Sequence, residues 1–164
     1  MHHSATVKTA MNPLKRTTFL VADADASARF FEEVFGWTRW YDRSLVADRR
    51  FPPTGTGEDA RVDLVILDTA DDLLGKLGLL SYPDAPVDTP PPRTLDRVRL
   101  GDPVLVVATK DIDGIHERAV ARGATVVTPP VDWEVPAPSG EQGIRLRSVS
   151  LFDPNGIYLE VSAH

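Results

Sequence analysis

Cysteine is absent from the 164-residue chain, which excludes disulfide bonds, thiolate chemistry and metal sites built on cysteine. No apolar run approaches the roughly 20 residues needed to cross a bilayer, so no membrane is an expected partner. Basic residues are not in excess either, because 18 Lys and Arg stand against 24 Asp and Glu, for a formal net charge of −6. Since neutralising phosphates requires a basic face, nucleic acid is not an expected partner.

The first 13 residues lack the apolar core of a signal peptide. We therefore predict that segment 1–13 is a mobile tail and that the protein is cytoplasmic. The rest of the chain has an ordinary globular composition, since 42% of all residues are hydrophobic and 26% are charged. It is long enough to bury a sizeable core.

The order of strand and helix patterns occurs twice along the chain. In the first series, strands predicted at 14–22, 37–47, 60–68 and 76–82 accompany one helix, with Asp25 as its N-cap and Gly36 as its C-terminal stop. Closely spaced prolines then predict an irregular, stiff linker at 83–102. A second strand, helix and three strands follow, and Asp111 precedes the second helix 88 residues after Asp23 precedes the first.

The predicted fold class is therefore α+β, with two tandem βαβββ modules at 14–82 and 103–164 in one compact domain. Each module is expected to form a mostly antiparallel four-stranded sheet with a helix on one face. Two such sheets side by side would make a curved, open, barrel-like structure with helices outside and a cleft inside. Clefts of this kind commonly bind small molecules.

Alternation along the strands predicts which side chains face that cleft. In the last strand Leu159 and Val161 belong to an aliphatic side, so Glu160 is assigned to the cleft by elimination. The same argument assigns these residues to the cleft: Arg16, Thr18 and Leu20 of the first strand, Val104, Val106 and Ala108 of the fifth, and Tyr158 and Ser162 of the last. The predicted cleft is largely apolar, with Arg16 and Glu160 as its charged members.

Aromatic residues are further candidates for contacts with a flat ligand. Trp40 and Trp133 could line the cleft, although core packing explains each of them as well. Because Trp40 and Tyr41 alternate, only one of the two can face inward. Trp133 lies in "PPVDWEVPAPSGEQG", which is predicted to be a long loop able to close over a ligand.

Two motifs, "VADADASARFFEEVFGW" at the first helix and "LFDPNGIYLEV" at the last turn and strand, resemble the vicinal oxygen chelate superfamily. That superfamily contains glyoxalase I, extradiol dioxygenases, epimerases, and fosfomycin and bleomycin resistance proteins. The resemblance implies a glyoxalase-like fold and a homodimer. It also implies four strand positions for metal ligands, which fall on Arg16, Val104, Glu160 and, when "LLS" is aligned with "EVS", Leu79.

Only Glu160 among those four positions can bind a metal. A divalent ion in such a site needs several oxygen or nitrogen ligands, and an arginine stays protonated and repels a cation. We therefore predict no metal and no cofactor. One hypothesis is that Arg16 instead pairs with Glu160 across the cleft. The alternative is that both are solvated surface charges.

Two functions follow from these features. The first is a metal-independent isomerase or lyase, with Glu160 as general base and Arg16 as anion stabiliser. Its substrate would be bound by Thr18, Leu79, Val104, Val106, Trp40, Trp133 and Tyr158. The alternative is a protein of bleomycin-resistance type that binds a small molecule or antibiotic without chemistry. A metal-dependent glyoxalase or dioxygenase fits less well, because the ligand set is broken.

Overall fold

The computed structural model describes residues 16–48, 51, 54, 56–57, 59–70, 75–135 and 143–163. The predicted tail at 1–13 lies outside these residues. The elements in chain order are β1 (Arg16–Leu20), α1 (Ala24–Phe35), β2 (Thr38–Val46), β3 (Arg61–Asp68), β4 (Lys76–Ser81), β5 (Val104–Ala108), α2 (Ile112–Ala121), β6 (Thr125–Val135), β7 (Ile144–Phe152) and β8 (Tyr158–Ala163).

The strands form two four-stranded mixed sheets, with the orders β1-β4-β3-β2 and β5-β8-β7-β6. In each sheet the first and last strands of the module pair in parallel, and the other neighbours are antiparallel. This confirms the predicted α+β fold of two βαβββ modules. Within the described part of the chain the sheets do not close into a barrel. No helix there combines the length and apolarity that a membrane span requires.

Helix α1 begins two residues earlier than the sequence predicted. Asp23, in an extended backbone conformation, is the N-cap, and its side chain accepts a hydrogen bond from the backbone N–H of Ala26 at 2.9 Å. The prediction of Asp25 as N-cap was wrong, since Asp25 lies in the first helical turn and forms ion pairs with Arg29 and Arg39. Gly36 ends the helix in the left-handed conformation, at φ 74°, as predicted.

Strand β6 is longer than predicted, because it continues through Asp132, Trp133 and Glu134 to Val135. The register with β7 shifts between Thr128 and Val131, on either side of two consecutive prolines. Strand β6 is at the edge of its sheet, where a bulge accommodates residues that cannot donate a backbone hydrogen bond. The predicted long loop was therefore wrong for its first part, and its remainder, 136–142, lies outside the described residues.

One apolar core contains both helices and one face of each sheet. Its buried members include Phe31 and Val34 of α1, Leu79 of β4, Ile115 of α2 and Leu159 of β8. The helices also contact each other through polar groups: Arg118 Nε donates to the carbonyl oxygen of Val34 at 3.2 Å, and Arg122 pairs with Glu33. This core covers the helix side of both sheets and leaves their opposite faces open.

The turn before β8 ties the second module to the first. Asp153 is fully buried and accepts hydrogen bonds from the backbone N–H groups of Asn155 at 2.9 Å and Ile157 at 2.7 Å, and from Asn155 Nδ2 at 3.0 Å. Burial raises the pKa of the Asp153 carboxyl, while these donors oppose the rise. Asn155 Nδ2 also donates to Ser27 Oγ at 2.9 Å, so the turn is bonded to α1.

The linker at 83–102 contains no helix or strand and is docked on the same turn. Arg93 pairs with Asp102, donates from Nη2 to the carbonyl oxygen of Gly156 at 3.3 Å, and lies over the ring of Phe152 with Cζ 5.7 Å from its centroid. The linker therefore follows a fixed path over the second module.

We expect Asp153→Ala to lower the free energy of unfolding by roughly 3 kcal/mol, because three donors lose a buried acceptor. Asp96→Ala is the matched control, since Asp96 is exposed and its ion pair is with its neighbour Arg97; it should leave stability nearly unchanged. Urea denaturation followed by tryptophan fluorescence measures both. Equal effects of the two substitutions would contradict the structural role of the turn.

Candidate functional site

A cavity of about 460 Å³ opens on the face of the first sheet that lies opposite the helices. The described residues that line it are Arg16, Thr18, Leu45, Val46, Phe51, Leu64 and Leu80. Leu64 and Leu80 are direct partners across β3 and β4, so their side chains share this face. The walls are mainly aliphatic, and the charge is concentrated at the β1 side of the cavity.

Phe51 and two linker residues pack against a cluster that includes the cavity residue Leu80. Val62, Leu80 and Tyr82 form a second, smaller buried cluster together with Ala47. Phe51, from the segment after β2, packs against this cluster, as do Ala85 and Val87 from the linker. The cavity is thus a cup, with a floor of strand residues and with Phe51 as the described wall residue from outside the strands.

Arg16 is held in the cup without an acidic partner. Its Nε donates to Thr18 Oγ1 at 2.9 Å, and no carboxylate among the described residues lies within 4.0 Å of its guanidinium. Arg39, by contrast, pairs with Asp25, Glu32 and Asp42. The two terminal nitrogens of Arg16 are therefore without an acceptor in the described part of the protein.

Gly78 makes room for this arrangement. It is the direct partner of Thr18 across the parallel β1–β4 pair. A Cβ at position 78 would lie 2.6 Å from Thr18 Oγ1 and 3.1 Å from Arg16 Cδ. Because real Cβ atoms do not approach other heavy atoms that closely, the Arg16–Thr18 contact depends on glycine at this position.

Glu160 lies on the predicted face of β8 but not in this cavity. It is exposed, while its neighbours Leu159 and Val161 are fully buried in the core, so the alternation is as predicted. Glu160 is on the second sheet and Arg16 on the first, and the two form no ion pair in the described structure. The hypothesis of a pair was wrong, and the alternative of two separate charges describes the structure.

The assignment of Leu79 to the cleft was also wrong. Leu79 is fully buried against the helices, and its neighbour Leu80 lines the cavity. Thr18 pairs with Gly78 as Val106 pairs with Glu160, so the position equivalent to Glu160 is 78 rather than 79. An error of one residue moves every side chain of a strand to the other face.

The remaining predicted residues lie elsewhere. Val104 and Val106 are 43% and 66% exposed and line a separate cavity of about 540 Å³ with Trp37 and Lys76. Trp40 is 61% exposed, and Lys76 Nζ lies 5.3 Å from its ring centroid.

Trp133 and Tyr158 belong to the second sheet. Trp133 Nε1 donates to Ser148 Oγ at 2.8 Å, and the indole borders an open depression with Arg145 and Arg147. The ring of Tyr158 packs on Phe152, with 5.1 Å between centroids. Of the predicted site residues, the structure thus brings only Arg16 and Thr18 together in the cup.

Sequence reasoning missed the apolar walls. Leu45 is on the edge strand β2 and Leu64 on the inner strand β3, and neither strand was considered as a cleft strand. In "VDLVIL" both faces of the strand carry apolar residues, so alternation does not single out Leu64. Phe51 lies in a stretch of sequence that has neither helix nor strand periodicity, so its position could not be predicted. No group of three or more His, Cys, Asp or Glu side chains suited to a metal occurs among the residues described. The corrected fourth ligand position, Gly78, has no donor atom.

Comparison with known proteins places this geometry in context. The family model of the Glyoxalase/Bleomycin resistance protein/Dioxygenase superfamily matches residues 14–161. No curated protein matches the sequence significantly. A glyoxalase family protein from Bacillus cereus is similar in structure, with a TM-score of 0.71 and 18% identity over 97% of this chain and 98% of that chain.

Two further solved structures share the fold. A glyoxalase I mutant from Zea mays has a TM-score of 0.60 and 15% identity, over 92% of this chain and 44% of that chain. The genomically encoded fosfomycin resistance protein from Listeria monocytogenes has a TM-score of 0.51 and 15% identity, over 94% and 95% of the two chains. At these identities the likeness concerns the fold.

We expect Gly78→Ala to lower the free energy of unfolding by roughly 1–3 kcal/mol, because the new methyl group collides with Thr18. Thr18→Ala in the same chain removes the colliding atoms and should recover part of the loss. Gly57→Ala is the control, since a Cβ there meets nothing within 4 Å. Chemical denaturation of the wild type, the two single variants and the double variant gives the coupling, with Gly57→Ala measured alongside, and additive effects would contradict the close approach.

Proposed function

The chain belongs to the Glyoxalase/Bleomycin resistance protein/Dioxygenase superfamily, and we propose that it is a small-molecule-binding protein whose ligand occupies the cup on the first sheet. The family match confirms the resemblance that the two motifs indicated. The observation that carries the proposal is an apolar cavity with a single guanidinium that has no acidic partner in the described structure.

The size and lining of the cup support a small ligand. Its volume of about 460 Å³ falls within the range of roughly 300–1,000 Å³ that is usual for small-molecule sites. Such sites combine mostly apolar walls with a few polar groups that fix orientation. Here Leu45, Leu64 and Leu80 supply walls, and Arg16 and Thr18 supply the polar groups.

Binding without chemistry is the function that this lining favours. General acid–base catalysis requires a proton acceptor or donor within hydrogen-bond reach of the ligand. Among the described lining residues, Arg16 is the one ionisable side chain, and a guanidinium is a poor general acid or base. Thr18 Oγ1 already accepts a hydrogen bond from Arg16.

A metal-independent isomerase or lyase that uses Glu160 as base is the second candidate. The observation in its favour is that Glu160 is exposed beside Val106, its partner across β5 and β8, which is 66% exposed. An acid on an apolar strip of surface is a reasonable general base for a ligand bound there. The homodimer implied by the resemblance is also a proposal, supported by exposed Leu20, Val106 and Trp133 on faces that the core leaves uncovered.

Filling the cup tests the first proposal. The neutral fluorescent probe N-phenyl-1-naphthylamine is expected to bind saturably to the wild-type protein. Leu64→Trp should weaken that binding at least about tenfold, since the indole occupies the probe's space. Val120→Trp, at an exposed position on α2, is the matched control and should bind normally. Unchanged affinity in Leu64→Trp would refute binding in the cup.

Glu160→Gln separates the two candidates. Because Glu160 is exposed and outside the cup, we expect the substitution to leave probe affinity within about twofold of wild type. Fluorescence titration of the two proteins side by side measures this. A loss of more than about tenfold would place Glu160 at the ligand and favour the catalytic candidate.

A further inference from the structure

Resting on the proposed function, we propose that the ligand of the cup is a monoanion, namely a small molecule that carries one carboxylate on an apolar body. The carboxylate would bind the guanidinium of Arg16, and the body would lie on Leu64 and Leu80 toward Phe51. This assigns a chemical class to the ligand and a specificity-determining role to Arg16.

The first step concerns charge. Arg16 is exposed to water in the described structure, but a ligand with an apolar body would displace water from its guanidinium, and the charge is then costly unless an anion compensates it. Arg93, which lies over Phe152, pairs with Asp102, and Arg39 pairs with three acids. Arg16 has no acidic partner among the described residues, although the whole chain has an excess of acids. A bound anion would supply the missing partner.

The second step concerns orientation. The hydrogen bond from Nε to Thr18 Oγ1 holds the guanidinium across the strand pair, above the space that Gly78 leaves open. The two terminal nitrogens remain available as parallel donors. Two parallel donors match the two oxygens of a carboxylate, and this bidentate arrangement is the strong form of the arginine–anion interaction.

The third step concerns the number of charges. Arg43 faces the same side of the sheet, because it is the direct partner of Leu64 across β2 and β3. Its Nη1 donates to the carbonyl oxygen of Asp42, and it is not among the described residues that line the cup. Among the described lining residues there is one guanidinium, which matches one negative charge. A second charge on the ligand would lie against Leu45 and Leu80, and no other charged side chain is among those described lining residues.

Three probes that share a phenylpropyl group and differ in the charge of their head group test the preference for an anion. The probes are 3-phenylpropionate, 3-phenylpropionamide and 3-phenylpropylamine, titrated into the full chain at pH 7 and followed by NMR of the methyl groups. We expect the acid to bind at least about tenfold more tightly than the amide, since a charge-assisted hydrogen bond replaces a neutral one. The amine should bind most weakly, because its ammonium meets the guanidinium.

Arg16→Met and Arg43→Met test which arginine causes the preference for the acid over the amide. Arg16→Met should reduce the acid-to-amide preference to about onefold while it retains binding of the neutral probe N-phenyl-1-naphthylamine. Arg43→Met, which removes an arginine from the same sheet face, should keep most of the preference. Arg16→Lys should retain part of it, because an ammonium keeps the charge but not the fork of donors.

The outcomes distinguish this proposal from the function on which it rests. Equal affinity of the wild-type protein for acid and amide would overturn the monoanion but leave small-molecule binding in place, provided that the neutral probe binds. Failure of all four probes would overturn both. If Arg16→Met lost the neutral probe together with the acid, Arg16 would shape the cup rather than bind the headgroup, and the proposal would also be overturned.

Discussion

The shared apolar core is the constraint on which the rest of the structure depends. It buries one face of each sheet against both helices, with Phe31, Ile115 and Leu159 among its members. Because side chains of a strand alternate, the residues between the buried ones must face away from the helices. Arg16, Thr18 and Leu80 are on the cavity face for this reason, and so the packing of the core selects which residues can meet a ligand.

The polar group of the cup is a cation, whereas a metal centre needs donor atoms that bind a cation. By resemblance, Arg16 stands at a position where the superfamily has a metal ligand, yet it brings a permanent positive charge instead of a donor atom. The corrected equivalent of Glu160 is Gly78. Because glycine has no side chain, the side chains of Arg16 and Thr18 can lie over strand β4 at this position. The two positions thus act together, one supplying the charge and the other the space for it.

Alternation and capping signals allowed the fold to be predicted from sequence, because each reflects a local physical requirement. The site was predicted only in part. In "KLGLLS" both faces of the strand are apolar, since Leu79 packs in the main core and Leu80 in the smaller cluster, so periodicity could not fix the register. The two prolines of β6 predicted a loop, although an edge strand with a bulge accommodates them. Phe51 lies in a stretch of sequence without strand or helix periodicity, so its position was not predictable.

The hydrogen bond between Asn155 and Ser27 joins residues that are 128 positions apart. During synthesis this contact can form only after the turn at Asn155 has left the ribosome, so the first module gains it only once most of the second module has been made. Contacts of such high sequence separation slow folding, because chain entropy is lost before they are gained. A nascent chain that stops in the linker would lack α2 and would expose apolar residues of α1 that pack beside α2 in the shared core.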